Sequence, residues 1–168
     1  FRAFFDTVGD LIVVAGPDGR ILFANQACQR VLGFDETELA RLGVLDLHPA
    51  DCREEAAAIF AAMLSGEREA CPLPLASKEG LQIPVETRIW LGHWNGADCI
   101  YGVSKDLRAE QEAQQRFERL FHNNPALMAL TSLPERRFTD VNQAFLDALG
   151  YPRREVIGKT AAELGLFA

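Results

Sequence analysis

Few residues in this chain combine a reactive type with a useful spacing. His48 and Cys52 stand four apart, the separation of two ligands on one helical face. A metal held there needs a regular helix from one to the other, yet Pro49 sits where the helix starts. Cys28, Cys52, Cys71 and Cys99 are widely spaced with no Cys-x-x-Cys, which fits the reduced thiols of a cytoplasmic protein better than a disulfide framework or a zinc site. The sequence holds no Gly-rich phosphate loop, no nucleophile elbow and no supported Cys-His or Ser-His-Asp arrangement. Its acids are scattered over helix faces, where they serve solvation, and His93, Trp90 and Trp94 fit strand and loop packing. Direct catalysis is not expected, and no metal site is assigned. Any enzymatic output is expected in other parts of a parent protein.

The elements that must position such residues are organised around positions 10–33. Leu11-Ile12-Val13-Val14-Ala15, the turn Gly16-Pro17-Asp18-Gly19, and Ile21-Leu22-Phe23-Ala24 predict a hairpin. Asn25 then caps a short helix that Gly33 stops. Both strands are apolar at nearly every position, so both sheet faces must be covered. The unit occurs twice: Phe5, Leu11, Asn25, Gln26, Ala27, Gly33, Phe34 and Glu38 find counterparts in Phe121, Leu127, Asn142, Gln143, Ala144, Gly150, Tyr151 and Glu155. The offset is 116 residues from Leu11 to Leu127 and 117 from Asn25 to Asn142, which predicts one extra residue in the second turn, near Pro134-Glu135-Arg136. The repeat is of a domain of roughly 100 residues, its second copy cut short at Ala168. Two strands and short helices make a marginal core. Residues 117–168 are therefore expected to be poorly ordered, to lean on another surface, or to be a cropped part of a longer ordered chain. Phe1 is not a natural start, so a parent chain extending further is expected.

Composition narrows the partners. The chain is 48% hydrophobic and 24% charged, an ordinary globular balance. A net charge of −7 and a pI near 5.0 argue against nucleic acid and anionic membrane as partners, both of which demand clustered positive charge. The longest apolar run, 56–64, is far short of a bilayer span.

Along the chain, Phe1, Phe4 and Phe5 share a helical face suited to cover the outer side of the sheet. A helix is expected over residues 51–65, capped by Asp51, with Glu54 and Glu55 in its first turn and Gly66 as its stop. Ala56, Ile59 or Phe60, and Met63 fall on its inner face. Three strands follow, over 71–77, 81–91 and 98–105, with Lys78-Glu79-Gly80 and His93-Trp94-Asn95-Gly96 as turns. Pro72, Pro74 and Pro84 mark the first as an edge strand. Residues 108–121 are rich in helix formers, and Ala113, Phe117 and Leu120 follow the steps of a short coiled-coil seam, against the alternative of a solvated connector.

The ordered set of strand, Pro-Asp-Gly turn, strand, Asn25, helix, Gly33-Phe34, Glu38-Leu39, His48-Pro49-x-Asp51, Lys78-Glu79-Gly80, Pro84-Val85-Glu86 and Gly102-Val103-Ser104-Lys105-Asp106-Leu107 resembles a PAS domain with its C-terminal PAC segment. The resemblance covers 1–107, with 108–122 as a helical signalling linker and 123–168 as the start of a second copy. It departs from the family at Arg108, where an Asp-Ile-Thr ending is common. The resemblance implies an α+β fold, a five-stranded antiparallel sheet with helices over one face and a pocket between them. It also implies a sensory or dimerisation role in a bacterial signalling protein such as a histidine kinase or diguanylate cyclase.

Strand parity places Leu11, Val13, Ala15, Cys71, Leu73, Leu75, Val85, Thr87, Ile89, Ile100, Gly102 and Ser104 on the inner face, with Cys28, Leu32, Ile59 and Met63 added by helices. From these, Val13, Cys28, Leu32, Ile59, Met63, Leu75, Val85, Thr87, Ile89, Ile100 and Ser104 form the candidate pocket lining. Such a lining suits a small apolar ligand, or no ligand and a packed core. Haem-binding relatives take an axial histidine from the helix that here spans 51–65, which has none. Flavin photoreceptors of the family need an Asn-Cys-Arg-Phe-Leu-Gln context, which Cys52-Arg53-Glu54-Glu55 breaks. Haem and flavin are therefore not expected. Asp106, where the last inner strand meets the linker, is the candidate signal exit, against the plainer reading of a helix cap. A homodimer is expected through residues 1–6 and 108–121, whose apolar stripes are left over once the sheet is paired. The reading that competes with a ligand sensor is a ligand-free dimerisation or scaffold module.

Overall fold

The computed structural model describes residues 2–166, and the chain divides into two compact units between Ala109 and Glu110. The first unit begins with α1 (Arg2–Thr7), β1 (Leu11–Ala15), β2 (Ile21–Ala24), α2 (Gln26–Leu32) and α3 (Glu36–Leu39). Two turns of 3-10 helix, Val44–Leu47 and Ala50–Cys52, lead into α4 (Arg53–Leu64). The unit closes with β3 (Leu75–Ala76), β4 (Gln82–Ile83), β5 (Val85–Trp94) and β6 (Ala97–Asp106). The main sheet is antiparallel in the order β2-β1-β6-β5.

Every residue of β1 is buried, because alternate side chains enter different clusters. Leu11 and Val13 pack on one face with Cys28, Leu32, Leu39, Leu47, Leu75 and Val85. Val14 packs on the other face with Phe23 and Cys99, under Phe5, Trp94 and Tyr101. The cover from α1 is therefore Phe5, whose ring lies 6.0 Å from both Phe23 and Trp94, while Phe4 is 67% exposed. Phe1 lies outside the described residues.

The structure corrects several expectations. The main sheet has four strands and not five: β3 pairs only with β4, and Cys71 joins the sheet by a single bridge to Thr87. Cys71 N–H donates to the Thr87 carbonyl at 2.8 Å and Thr87 N–H returns the bond at 2.9 Å. Pro72 and Pro74 have no N–H with which to extend that ladder. Pro84 likewise divides the expected 81–91 strand into β4 and β5. The expected helix over 51–65 begins later, at Arg53, because Cys52 N–H donates back to the Pro49 carbonyl and closes a 3-10 turn. Asp51 lies within that turn and does not cap α4, whose N-cap residue Cys52 makes no capping bond with its side chain. The loop expected over residues 93–96 tightens to Asn95-Gly96, both at positive φ (51° and 83°), the twist that a two-residue hairpin turn requires.

The second unit holds all but the first two residues of α5 (Arg108–His122), then β7 (Ala129–Thr131), β8 (Phe138–Val141), α6 (Gln143–Leu149) and α7 (Arg153–Val156). It has its own small core of Phe138, Val141, Phe145 and Val156, with Leu146, Leu149 and Tyr151 packed against it. Its hairpin turn, 132–137, is one residue longer than the 16–20 turn of the first unit. Both hairpins shift register at their first strand's end, between Val14 and Ala15 and between Leu130 and Thr131.

Candidate functional site

The sheet and the segment that crosses it enclose a cavity of about 60 Å³ in the first unit. Its floor is the sheet: Val13 and Ala15 of β1, Thr87 and Ile89 of β5, and Ile100, Gly102 and Ser104 of β6. The register Val13↔Gly102, Ala15↔Ile100 and Thr87↔Ser104 brings these side chains onto one face. Cys71 and Leu75 close one side, and Val44, Leu45, Leu47, His48, Ala56, Phe60 and Met63 form the roof.

Of the residues that the sequence nominated, Val13, Met63, Leu75, Thr87, Ile89, Ile100 and Ser104 reach the cavity wall. Cys28, Leu32 and Val85 instead lie in the packed core between helices and sheet, since α2 covers the Leu11 end of β1. Ile59 packs with Met63, Cys71, Leu73 and Ile89 in a neighbouring cluster. Val44, Leu45, Leu47 and His48 were missed, and Ala56 and Phe60, expected on the inner face of the helix, are missing from the candidate lining. Most of them belong to the apolar run ending in His48-Pro49, and a 3-10 segment carries neither the helical nor the strand periodicity that parity arguments use.

Three wall side chains are hydrogen-bonded polar groups. Thr87 Oγ1 and Ser104 Oγ lie 2.7 Å apart, hydrogen-bonded across the β5–β6 pair. His48 is 9% exposed, and its Nδ1 lies 2.9 Å from the Pro74 carbonyl. Burial holds the His48 pKa below its ordinary value; the Pro74 bond opposes that shift and nearby Arg53 adds to it. The imidazole is thus neutral at pH 7. Because a carbonyl only accepts, Nδ1 carries the proton and Nε2 presents a lone pair.

Asp106 ends β6 two residues beyond Ser104. Its Oδ1 accepts the Arg108 N–H at 3.0 Å, and both its oxygens accept from the Arg108 guanidinium, the shortest contact being 2.6 Å to Nη2. The Arg108 hydrogen bonds hold the Asp106 carboxyl below the usual range. Leu107 N–H donates to the Pro84 carbonyl at 2.9 Å, tying the strand exit to the start of β5. The departure noted at Arg108 thus supplies the cation that pairs with Asp106.

Among the described residues, no group of three His, Cys, Asp or Glu side chains could hold a metal ion, and no helix is long and apolar enough to cross a membrane. Cys52 is not on the cavity wall.

A family model described as PAS fold matches residues 5–93, which include most of the cavity wall and both of its roof segments. This chain belongs to the PAS family. A second model, described as PAS domain, matches residues 115–167, so each unit carries a PAS match, as the repeat in the sequence requires. The crystal structure of a PAS domain from Desulfitobacterium hafniense is 36% identical, covering 62% of this chain and 99% of that one at a TM-score of 0.57. A domain of a sensory box sensor histidine kinase/response regulator from Geobacter sulfurreducens is 27% identical over 62% of this chain and 90% of that one, TM-score 0.53. A LOV protein of Rhodobacter sphaeroides, 19% identical over 68% and 69%, TM-score 0.55, shares the fold. No curated protein matches the chain. The PAS chain is thus a regulatory sensory domain of α+β fold, related to domains of sensor histidine kinases.

Proposed function

We propose that the first PAS unit senses a small, mostly apolar molecule in its cavity and relays occupancy through β6 into α5. One observation carries the reading: Ile100, Gly102 and Ser104 of β6 line the cavity, and the same strand continues through Asp106 into the helix start at Arg108. A displacement of that strand must move the Asp106–Arg108 junction, because no flexible loop intervenes. The wall, uncharged and apolar apart from His48, Cys71, Thr87 and Ser104, supports a small and mostly apolar ligand. The output is expected in a kinase or cyclase domain of the parent protein.

Filling the cavity from β6 tests the relay. A Cβ at Gly102 would sit 3.8 Å from the Val13 carbonyl, an ordinary contact, so Gly102→Ala should fold. Hydrogen exchange at amides 110–112 should then change relative to wild type; unchanged exchange there removes the relay from β6.

Association is a second reading, favoured by Phe117 and Leu120 of α5, which are 42% and 59% exposed on a four-turn helix. A helix carrying such a stripe suits a homodimer. The other expected contact, residues 1–6, is weakened by the commitment of Phe5 to the sheet. Sedimentation of Phe117→Ser, Leu120→Ser should show monomer; an undiminished dimer assigns association elsewhere.

A further inference from the structure

The hydrogen-bonding groups on the cavity wall define a chemical class of ligand, an inference that rests on the sensory reading above. Among the described residues, no Asp, Glu, Lys or Arg lines the cavity. An ionised ligand would therefore lose its hydration there without a counter-charge. The neutral polar sites are few and unequal. His48 lines the cavity and its Nδ1 is spent on the Pro74 carbonyl, so a hydrogen bond between the ring and an occupant is one accepted at Nε2, on a side chain nine-tenths buried. The Thr87–Ser104 pair uses one of its two hydroxyl protons internally at 2.7 Å and keeps the other. One acceptor and one donor are thus open to an occupant, on a wall otherwise built from groups such as Val13, Ile89 and Ile100.

A hydroxyl satisfies both sites, donating to the histidine and accepting from the hydroxyl pair. A ketone or ether only accepts, and leaves the Nε2 lone pair buried and unmet. An amine of ordinary basicity enters as a cation. We propose that the cavity takes a small neutral alcohol, its hydroxyl engaging His48 Nε2 and the Thr87–Ser104 pair and its hydrocarbon part lying on the apolar wall.

Three compounds of nearly one shape separate the alternatives: cyclopentanol, cyclopentanone and cyclopentylamine, the last protonated at pH 7.5. Each is titrated into the 15N-labelled chain of 168 residues while the amide signals of Thr87, Gly102 and Ser104 are followed. Cyclopentanol should shift them saturably, cyclopentanone should bind about fivefold more weakly, as loss of one neutral hydrogen bond predicts, and the ammonium ion should give no shift. His48→Asn retains a donor near the Nδ1 position for Pro74 and removes Nε2, so it should bring alcohol and ketone to equal affinity. Thr87→Val, Ser104→Ala together, which leave His48 intact and remove both hydroxyls of the pair, should weaken the alcohol by a similar factor and serve if the histidine variant unfolds. Equal binding of alcohol and ketone to the wild-type chain overturns the hydroxyl assignment and leaves the ligand cavity standing. Binding of the ammonium ion as tightly as the alcohol overturns the requirement for neutrality. Saturable shifts with none of the three overturn both this proposal and the sensory reading of the cavity.

Discussion

Asn25 and Asn142 are fully buried and hold the same four-bond node in the two units. Asn25 Oδ1 accepts from Ile12 N–H and Cys28 N–H, each at 3.1 Å, while its Nδ2 donates to the carbonyls of Phe5 and Asp10 at 2.9 and 3.0 Å. Asn142 accepts from Met128 and Phe145 and donates to Asn124 and Ala126. The side chain is at once a helix cap and the tie that binds the chain before the hairpin to the helix after it. Asn25→Ala should cost about 2–4 kcal/mol in chemical denaturation, a cap of about 1 kcal/mol plus a buried N–H left unmet. Asn25→Asp keeps the acceptor but turns a carboxylate toward two carbonyl oxygens, which raises its folded pKa above the unfolded value. Its stability should then be greatest below the unfolded carboxylate pKa and fall as pH rises through the folded one, which denaturation at several pH values will show. The thiols differ as sharply: Cys28, Cys71 and Cys99 are buried, and burial pushes Cys28 up to about 12. Brief iodoacetamide treatment of the native chain should label Cys52 first, with all four labelled after denaturation, as read by mass spectrometry.

At the scale of elements, the β5–β6 hairpin shows why a glycine interrupts an otherwise side-chain-rich strand. A Cβ at Gly92 would meet Tyr101 Cε2 at 2.7 Å, while the Tyr101 hydroxyl donates to the His93 carbonyl at 2.7 Å and so holds the ring over that position. Gly92→Ala should destabilise the first unit by about 1–3 kcal/mol in urea unfolding, as overpacking does. The junction between β6 and α5 makes a second prediction. The folded pKa of Asp106 is lowered by Arg108, so its contribution is present above the unfolded carboxylate pKa and is lost as pH falls through the lowered folded value. The Arg108 amide resonance should report that loss in acid. Asp106→Ala should leave the fold and cavity intact, speed exchange of the Arg108 amide about fivefold, the equivalent of a cap of about 1 kcal/mol, and alter the regulated output of the parent protein.

For the molecule as a whole, the two units differ in how much core each holds. The first buries apolar residues on both faces of a four-stranded sheet, the second a hairpin and short helices over four core residues. Stability grows with buried apolar area. Urea unfolding followed by amide signals should therefore show Phe138, Val141 and Phe145 lost at lower denaturant than Val14 and Val103. Simultaneous loss would mean that the second unit draws stability from outside its own core.

The repeat, the caps at Asn25 and Asn142, the stops at Gly33 and Gly150, both with positive φ, and the one-residue lengthening of the second turn were legible in the sequence because each is a local requirement of backbone geometry. Strand parity likewise placed Val13, Thr87, Ile100 and Ser104 together, since the period of a strand is fixed at two. The tertiary structure alone decided that Cys71 contributes one bridge and not a strand, that Cys28, Leu32 and Val85 pack into the core beside the cavity, and that Val44, Leu45 and His48 roof it. Those outcomes depend on which segments meet across the chain. No periodicity in the 44–52 segment announces that His48 bonds the Pro74 carbonyl 26 residues away and lines the cavity.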